Sequence, residues 1–104
     1  MSVRVRTTAA ADEMAEQIDA WWRANRLAAP NMFLQELTET LALLAEAPNA
    51  GAPYTHRTIS GVRRYYLLRT RYHVYYVHDT AADELVILAV WSALRGSAPA
   101  LRTR

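Results

Sequence analysis

The stretch TRYHVYYVHD, residues 70–79, holds the side chains of this chain most able to do chemistry: Arg71, His73 and Tyr75, with Arg64 a short way upstream. Histidine titrates near neutral pH and can give or take a proton. Arginine is a permanent cation whose planar fork matches carboxylate and phosphate. Side chains alternate across a strand, so Arg71, His73 and Tyr75 are expected on one face and Tyr72, Val74 and Tyr76 on the other. The second set reads as core, its phenols reaching polar partners at the core's edge. The first reads as a cationic, aromatic surface able to meet an anion or a partner chain. Arg63, Arg64, Arg69 and Arg71 form a positive rim, which either attracts acidic groups and nucleic acid or is simply solvated.

Composition narrows the chemistry. The twelve basic residues are all Arg, against ten acidic ones, so the formal charge is a mild +2 and no lysine can act as a base or a Schiff-base amine. With no cysteine, thiolate nucleophiles, disulfides and Cys-based metal sites are excluded. His56, His73 and His78 are scattered without ligand spacing, so no metal is expected. Three glycines leave little for a phosphate-cradling loop, and no cofactor is expected. No apolar run approaches the ~18 residues of a membrane span, and the alternating start VRVRT is unlike a signal peptide. A cytoplasmic location and no membrane partner are the expectation.

The elements that must position these side chains follow from periodicity. At 104 residues and 52% hydrophobic, one domain over 1–104 is expected, with the tail after about 96 fraying. VRVRT, 3–7, alternates as a strand. Thr7 or Thr8 offers an N-cap to a helix at about 8–26, with Met14, Ile18, Trp21 and Trp22 at helical spacing and Asp12, Glu13 and Glu16 early in it. One of the two Trp belongs in the core and the other at its margin, since they lie ~100° apart on the helix. Pro30 suits the first turn of a second helix at about 30–47, with Phe33, Leu34, Leu37, Leu41 and Leu44 as its apolar stripe. From Val62 the period drops to two, giving strands at 62–68, 72–78 and 85–92. The order β-α-α-β-β-β makes an α+β fold: a helical hairpin on a four-stranded, largely antiparallel sheet.

The last strand breaks the usual one-faced pattern. Leu85, Ile87, Ala89 and Trp91 are expected on one face, and Val86, Leu88 and Val90 on the other, so both faces are apolar. Either the chain's own tail or loop covers the second face, or a partner segment does.

The order AWWRANR…F…EL…L…L…P…G, then GVRRYYLLRTRYHVYYVHD, then LVILAVWSALRG, resembles the RelE/ParE toxin superfamily of bacterial type II toxin–antitoxin modules across nearly the whole chain. The resemblance implies a toxin in a hetero-oligomer with a cognate antitoxin, ParD- or RelB-like, whose extended C-terminal segment wraps it. It also implies one of two targets. ParE-like members inhibit DNA gyrase, and RelE-like members cleave messenger RNA on the ribosome.

Metal-free RNA cleavage needs a base for the 2′-hydroxyl proton, an acid for the leaving oxygen and a cation for the phosphorane charge. Arg cannot be the ordinary base. If the chain is a nuclease, His73 is the base or acid, Arg64 and Arg71 clamp the phosphate, and Tyr75 is their neighbour. In the YoeB-type nucleases, which this region also resembles, an Arg stands at the position that His73 occupies, and a C-terminal His or Tyr lies near the end of the last strand. Here the run Trp91–Ser92–Ala93–Leu94–Arg95 has Ser92 where that His is expected, and a lone hydroxyl does not titrate usefully. The expectation is therefore a ParE-like, non-nucleolytic toxin, with Arg63, Arg64, Arg71, Trp91 and Arg95 binding a partner. The ribosome-dependent nuclease and a decayed, non-toxic antitoxin-binding copy remain the alternatives.

Overall fold

A chain that caps its first helix early fixes where its first strand must end. In the computed structural model, which describes residues 2–104, β1 (Arg4–Thr7) gives way at Thr8 to α1 (Ala9–Asn25). The Thr8 hydroxyl accepts from the Ala11 N–H at 3.1 Å, satisfying one of the helix's free donors. Asp12 lies in the first turn, where the helix dipole favours a carboxylate. The second helix, α2 (Met32–Glu46), starts from Asn31 rather than at Pro30, which lies in the preceding turn.

The strands are β2 (Ala52–Pro53), β3 (Arg63–Leu67), β4 (Tyr72–Asp79) and β5 (Glu84–Ser92). They form a five-stranded sheet in the order β1-β5-β4-β3-β2, with β1 parallel to β5 and the other pairs antiparallel. The expected α+β order holds, and the strand missed from sequence is β2. It is a two-residue edge strand opposite Arg63 and Arg64, too short and too proline-bound to show a period.

Both helices cover one face. Phe33, Leu44, Leu67, Val74, Tyr76, Leu85, Ile87 and Val90 pack there with Trp22. Trp22 is buried and Trp21 lies half-exposed. The Tyr76 hydroxyl, wholly inside, donates to the Pro48 carbonyl at 2.7 Å and accepts from the Gly51 N–H at 2.8 Å, so burying it leaves no orphaned polar atom. Gly51 is required by that contact, since a Cβ there would come within 2.7 Å of the same hydroxyl.

The last strand does not alternate simply. Tyr75 opposes Ala89, but Tyr76 opposes Ile87, leaving Leu88 as a bulge. Two residues then face the same way, and the phase of everything beyond is inverted. Leu85, Ile87 and Val90 therefore point to the helices, while Val86, Leu88, Ala89 and Trp91 point to the second face. This corrects the expected assignment of Ala89, Val90 and Trp91. The bulge falls where β1 departs: Thr8 N–H donates to Ile87 O at 3.1 Å, and the Thr8 hydroxyl reaches Leu88 O at 3.5 Å.

Candidate functional site

The antiparallel register of β3, β4 and β5 assembles the second face in rows. Tyr66 opposes His73, which opposes Trp91, and the next row runs Arg64, Tyr75, Ala89. The His73 ring lies 5.3 Å from the Tyr66 ring and 6.2 Å from Tyr75. From the loop before β3, Tyr54 meets Tyr75 edge-on at 5.0 Å. The Arg64 guanidinium sits 5.4 Å from the Tyr54 ring centre and 5.9 Å from that of Tyr75. At the corner beyond β5, Arg95 lies over Trp91 at 4.2 Å. The outcome is an aromatic face carrying two fixed cations, each held against ring faces whose quadrupole attracts it.

His73 is the titrating group of this face. Burial pulls its imidazole below the ordinary 6.5, and the Arg64 charge pushes the same way, since each disfavours the protonated ring. At neutral pH the ring is uncharged: it can accept a proton but has none spare to give. Tyr75 beside it is only 3% exposed, closed in by Tyr54 and its strand neighbours. Ser92 pairs with Tyr72, one step along β5 from Trp91, so alternation turns it away from His73. Its Oγ accepts from the Leu94 N–H at 3.2 Å and closes the turn after β5.

The remaining sequence candidates separate. Arg71 is not a strand residue: it lies in the β3–β4 turn with φ of 67°, its carbonyl accepting from Ala93 N–H at 2.9 Å. It stands four residues from Tyr75, the partner of Arg64, or roughly 13 Å at the rise of a strand. Arg64 and Arg71 thus flank the His73 row from opposite ends. Arg63 points to the other face, where its guanidinium donates to the Gly51 carbonyl at 2.7 Å and anchors the loop. Among the described residues no cluster of His, Asp and Glu could hold a metal ion.

Sequence reasoning missed Glu36. Its carboxylate accepts from the Arg69 N–H at 2.9 Å, the Thr70 N–H at 2.9 Å and the Thr70 hydroxyl at 2.6 Å, with the Arg69 guanidinium 3.6 Å away. Burial opposes the charge, but these bonds, Thr70's first, hold the carboxyl below the usual 4.5. This bond set pins to α2 the turn that sets Arg71. The available signal was an acid at position 36, one turn after Phe33 and one before Thr40, inside the apolar stripe. A second feature also went unread: a groove of about 470 Å³ between α1 and the end of β5, lined by Met14, Ile18, Trp21, Tyr72, Trp91 and Arg95.

Comparison with known proteins fits this arrangement. The chain is similar in structure to the toxin–antitoxin complex RelBE2 from Mycobacterium tuberculosis, at 20% identity over 88% of this chain and 99% of that one, with a TM-score of 0.64. It is likewise similar to the chromosomal ParDE system of P. aeruginosa, at 21% identity over 88% of this chain and 96% of that one, with a TM-score of 0.65. At these identities the likeness speaks to the fold. No curated protein sequence matches. A family model does: that of the ParE toxin of the type II toxin–antitoxin system parDE, over residues 5–95. With every element from α1 to β5 and all of β1 but Arg4 inside that match, the chain belongs to the ParE toxin family of type II toxin–antitoxin systems.

Proposed function

We propose that this toxin acts by binding DNA gyrase rather than by cutting RNA, and that a cognate antitoxin, ParD- or RelB-like, neutralises it by wrapping it with an extended C-terminal segment. The observation that supports a binding role is the proton inventory of the second face. His73 is held uncharged between Tyr66 and Tyr75, and Ser92 is turned to the opposite side. Cleavage of a phosphodiester by general acid–base chemistry asks for two proton carriers, and this face offers one good one. Its other assets are those of a recognition surface. Arg64 and Arg95 ride on rings, and Trp91 and Tyr66 flank the imidazole, the residue types that dominate protein interfaces. In this reading Arg64, Arg71, Trp91 and Arg95 contact the target or the antitoxin, while Arg63 acts indirectly by holding the loop under them.

The competing reading makes the chain a ribosome-dependent messenger endonuclease. Its support is the same neutral imidazole, ready to act as base 5.3 Å from Tyr66, with Arg64 as the cation for the phosphorane. The first test precedes that choice. Induction of the chain should arrest growth, and co-expression of the protein encoded beside it should relieve the arrest and co-purify. A chain that is harmless when induced and captures no neighbour would instead be a decayed copy or no toxin at all.

A further inference from the structure

The cover of the second face has two parts. The tail seats one side chain in the apolar cluster, Leu101, and the loop before β3 packs Tyr54 and Ile59 against it. The base of that loop is closed by the Tyr54 N–H, which donates to the Val62 carbonyl at 2.8 Å. Its last turn needs Gly61, whose φ of 76° is left-handed. Its tip is held by one atom, Nδ1 of His56. The Thr58 N–H donates to that nitrogen at 3.3 Å and the Ile59 N–H at 3.2 Å, with the Thr58 hydroxyl 3.4 Å away. A backbone amide always carries its hydrogen, so these two donors fix the tautomer: Nδ1 bears the lone pair, and the ring hydrogen is on Nε2.

This arrangement depends on an uncharged ring. Once protonated, His56 carries a hydrogen on both ring nitrogens and can only donate, so both amides lose their acceptor at once. Nothing around the loop compensates. The hollow that His56 lines has Tyr54 as its other titratable group, and the hollow beside Thr58 and Ser60 has Arg102 and Arg104. Arg57 follows His56 in the chain, Arg64 lies against the Tyr54 ring, and none of these groups is an acid. Ile59 carries the loss to the face: its N–H is one of the two donors, and its side chain packs on the cluster of Tyr75 and Leu88. We propose that His56 is an acid-sensitive latch: uncharged, it holds residues 54–61 down on the second face, and protonated, it releases them, uncovering Tyr75 and freeing Arg64 from the Tyr54 ring. By linkage, the latch is closed at neutral pH and above and is lost as pH falls. That its release alters what the toxin binds rests on the binding reading above, whereas the latch itself is a property of the isolated chain.

Nuclear magnetic resonance of the full chain, followed from about pH 8 to 5 where histidine changes charge, tests the latch. In acid the Thr58 and Ile59 amides should lose about tenfold or more of their protection against hydrogen exchange, corrected for the intrinsic rate, as two hydrogen bonds go together. The loss should follow the titration of the His56 ring. Cross-peaks between the Tyr54 and Tyr75 rings, 5.0 Å apart, should fade with it. His56→Asn supplies an acceptor that does not titrate, as in an Asx-turn, so it should keep the neutral-pH protection and abolish the response to acid. His56→Ala should leave both amides unprotected throughout, while His73→Gln and His78→Gln should respond as the wild type does. Constant protection in the wild type, or a response that survives in His56→Asn, would overturn the latch. So would amides of β4 and β5 losing protection together with the loop, since the change would then be global unfolding. These readouts need no target and no antitoxin, so a chain that proves harmless leaves them standing, and a failed latch leaves the proposed function intact.

Discussion

The two faces of the sheet are both apolar, but they are closed in different ways. On the helix side, Phe33, Leu44 and Tyr76 are sealed by two helices, and even the Tyr76 hydroxyl has both a donor and an acceptor. On the second side, Tyr75, Leu88 and Ala89 lie under a loop bearing Tyr54 and Ile59 and under the irregular tail. The contrast teaches that burial alone does not mark a structural core. What separates the faces is whether the cover is held by a hydrogen-bonded framework or by a single anchor. The helix face carries the framework, and the second face is where the proposed function puts the partner.

The largest effect should follow from breaking the helix side. Phe33→Ala, at a fully buried position, should cost about 3–5 kcal/mol, whereas Leu101→Ala should cost about 1–2 kcal/mol. Urea denaturation of the two variants compares them directly, and equal losses would erase the distinction between the faces. The opposite ranking is expected in binding. Trp91→Ala, at the rim of the second face, should weaken the antitoxin complex by about 2 kcal/mol or more, measured by calorimetry, while a surface change on α2 such as Thr38→Ala should leave it unchanged.

A smaller effect sharpens the boundary between the faces at the β3–β4 turn. Glu36→Gln weakens three hydrogen bonds to a carboxylate and should cost about 1–3 kcal/mol. Because the folded carboxyl lies below 4.5, its contribution is present above that value and is lost as pH falls through the folded pKa. Denaturation curves of wild type and Glu36→Gln should therefore draw together in acid and stay apart near neutrality.

The smallest effect is that of His73. Its folded pKa lies below 6.5, so the unfolded chain binds the proton more readily. Its contribution is present above 6.5 and is lost as pH falls towards the folded value. Melting temperatures at pH 7.5 and 5.5 should differ less in His73→Gln than in wild type. An unchanged difference would place the imidazole outside the partly buried row between Tyr66 and Trp91.

Much of this was legible in the residues. The change of period at Val62, the Thr8 cap and the breaks at Pro30 and Pro48 define the element order, and alternation along β4 separates His73 and Tyr75 from Val74 and Tyr76. Three features were not legible, each because it depends on a long-range contact. The Leu88 bulge arises where β1 leaves β5, and an unbroken run LVILAV carries no trace of it. Arg71 leaves the strand face because Glu36, distant in sequence, pins the turn before it. Arg63 and Arg64 look alike as neighbours, yet one braces the Gly51 loop and the other lies on the rings of Tyr54 and Tyr75.

The claim that the second face binds rather than cuts is most directly tested by two assays run side by side on wild type and His73→Ala. One follows gyrase supercoiling, and the other follows messenger cleavage on translating ribosomes. The account predicts inhibited supercoiling, intact messenger, and toxicity that survives His73→Ala with only a modest change in affinity. Ribosome-dependent cleavage by the wild type, lost by the ~10²–10⁴-fold that removing a general acid–base group costs, would contradict it.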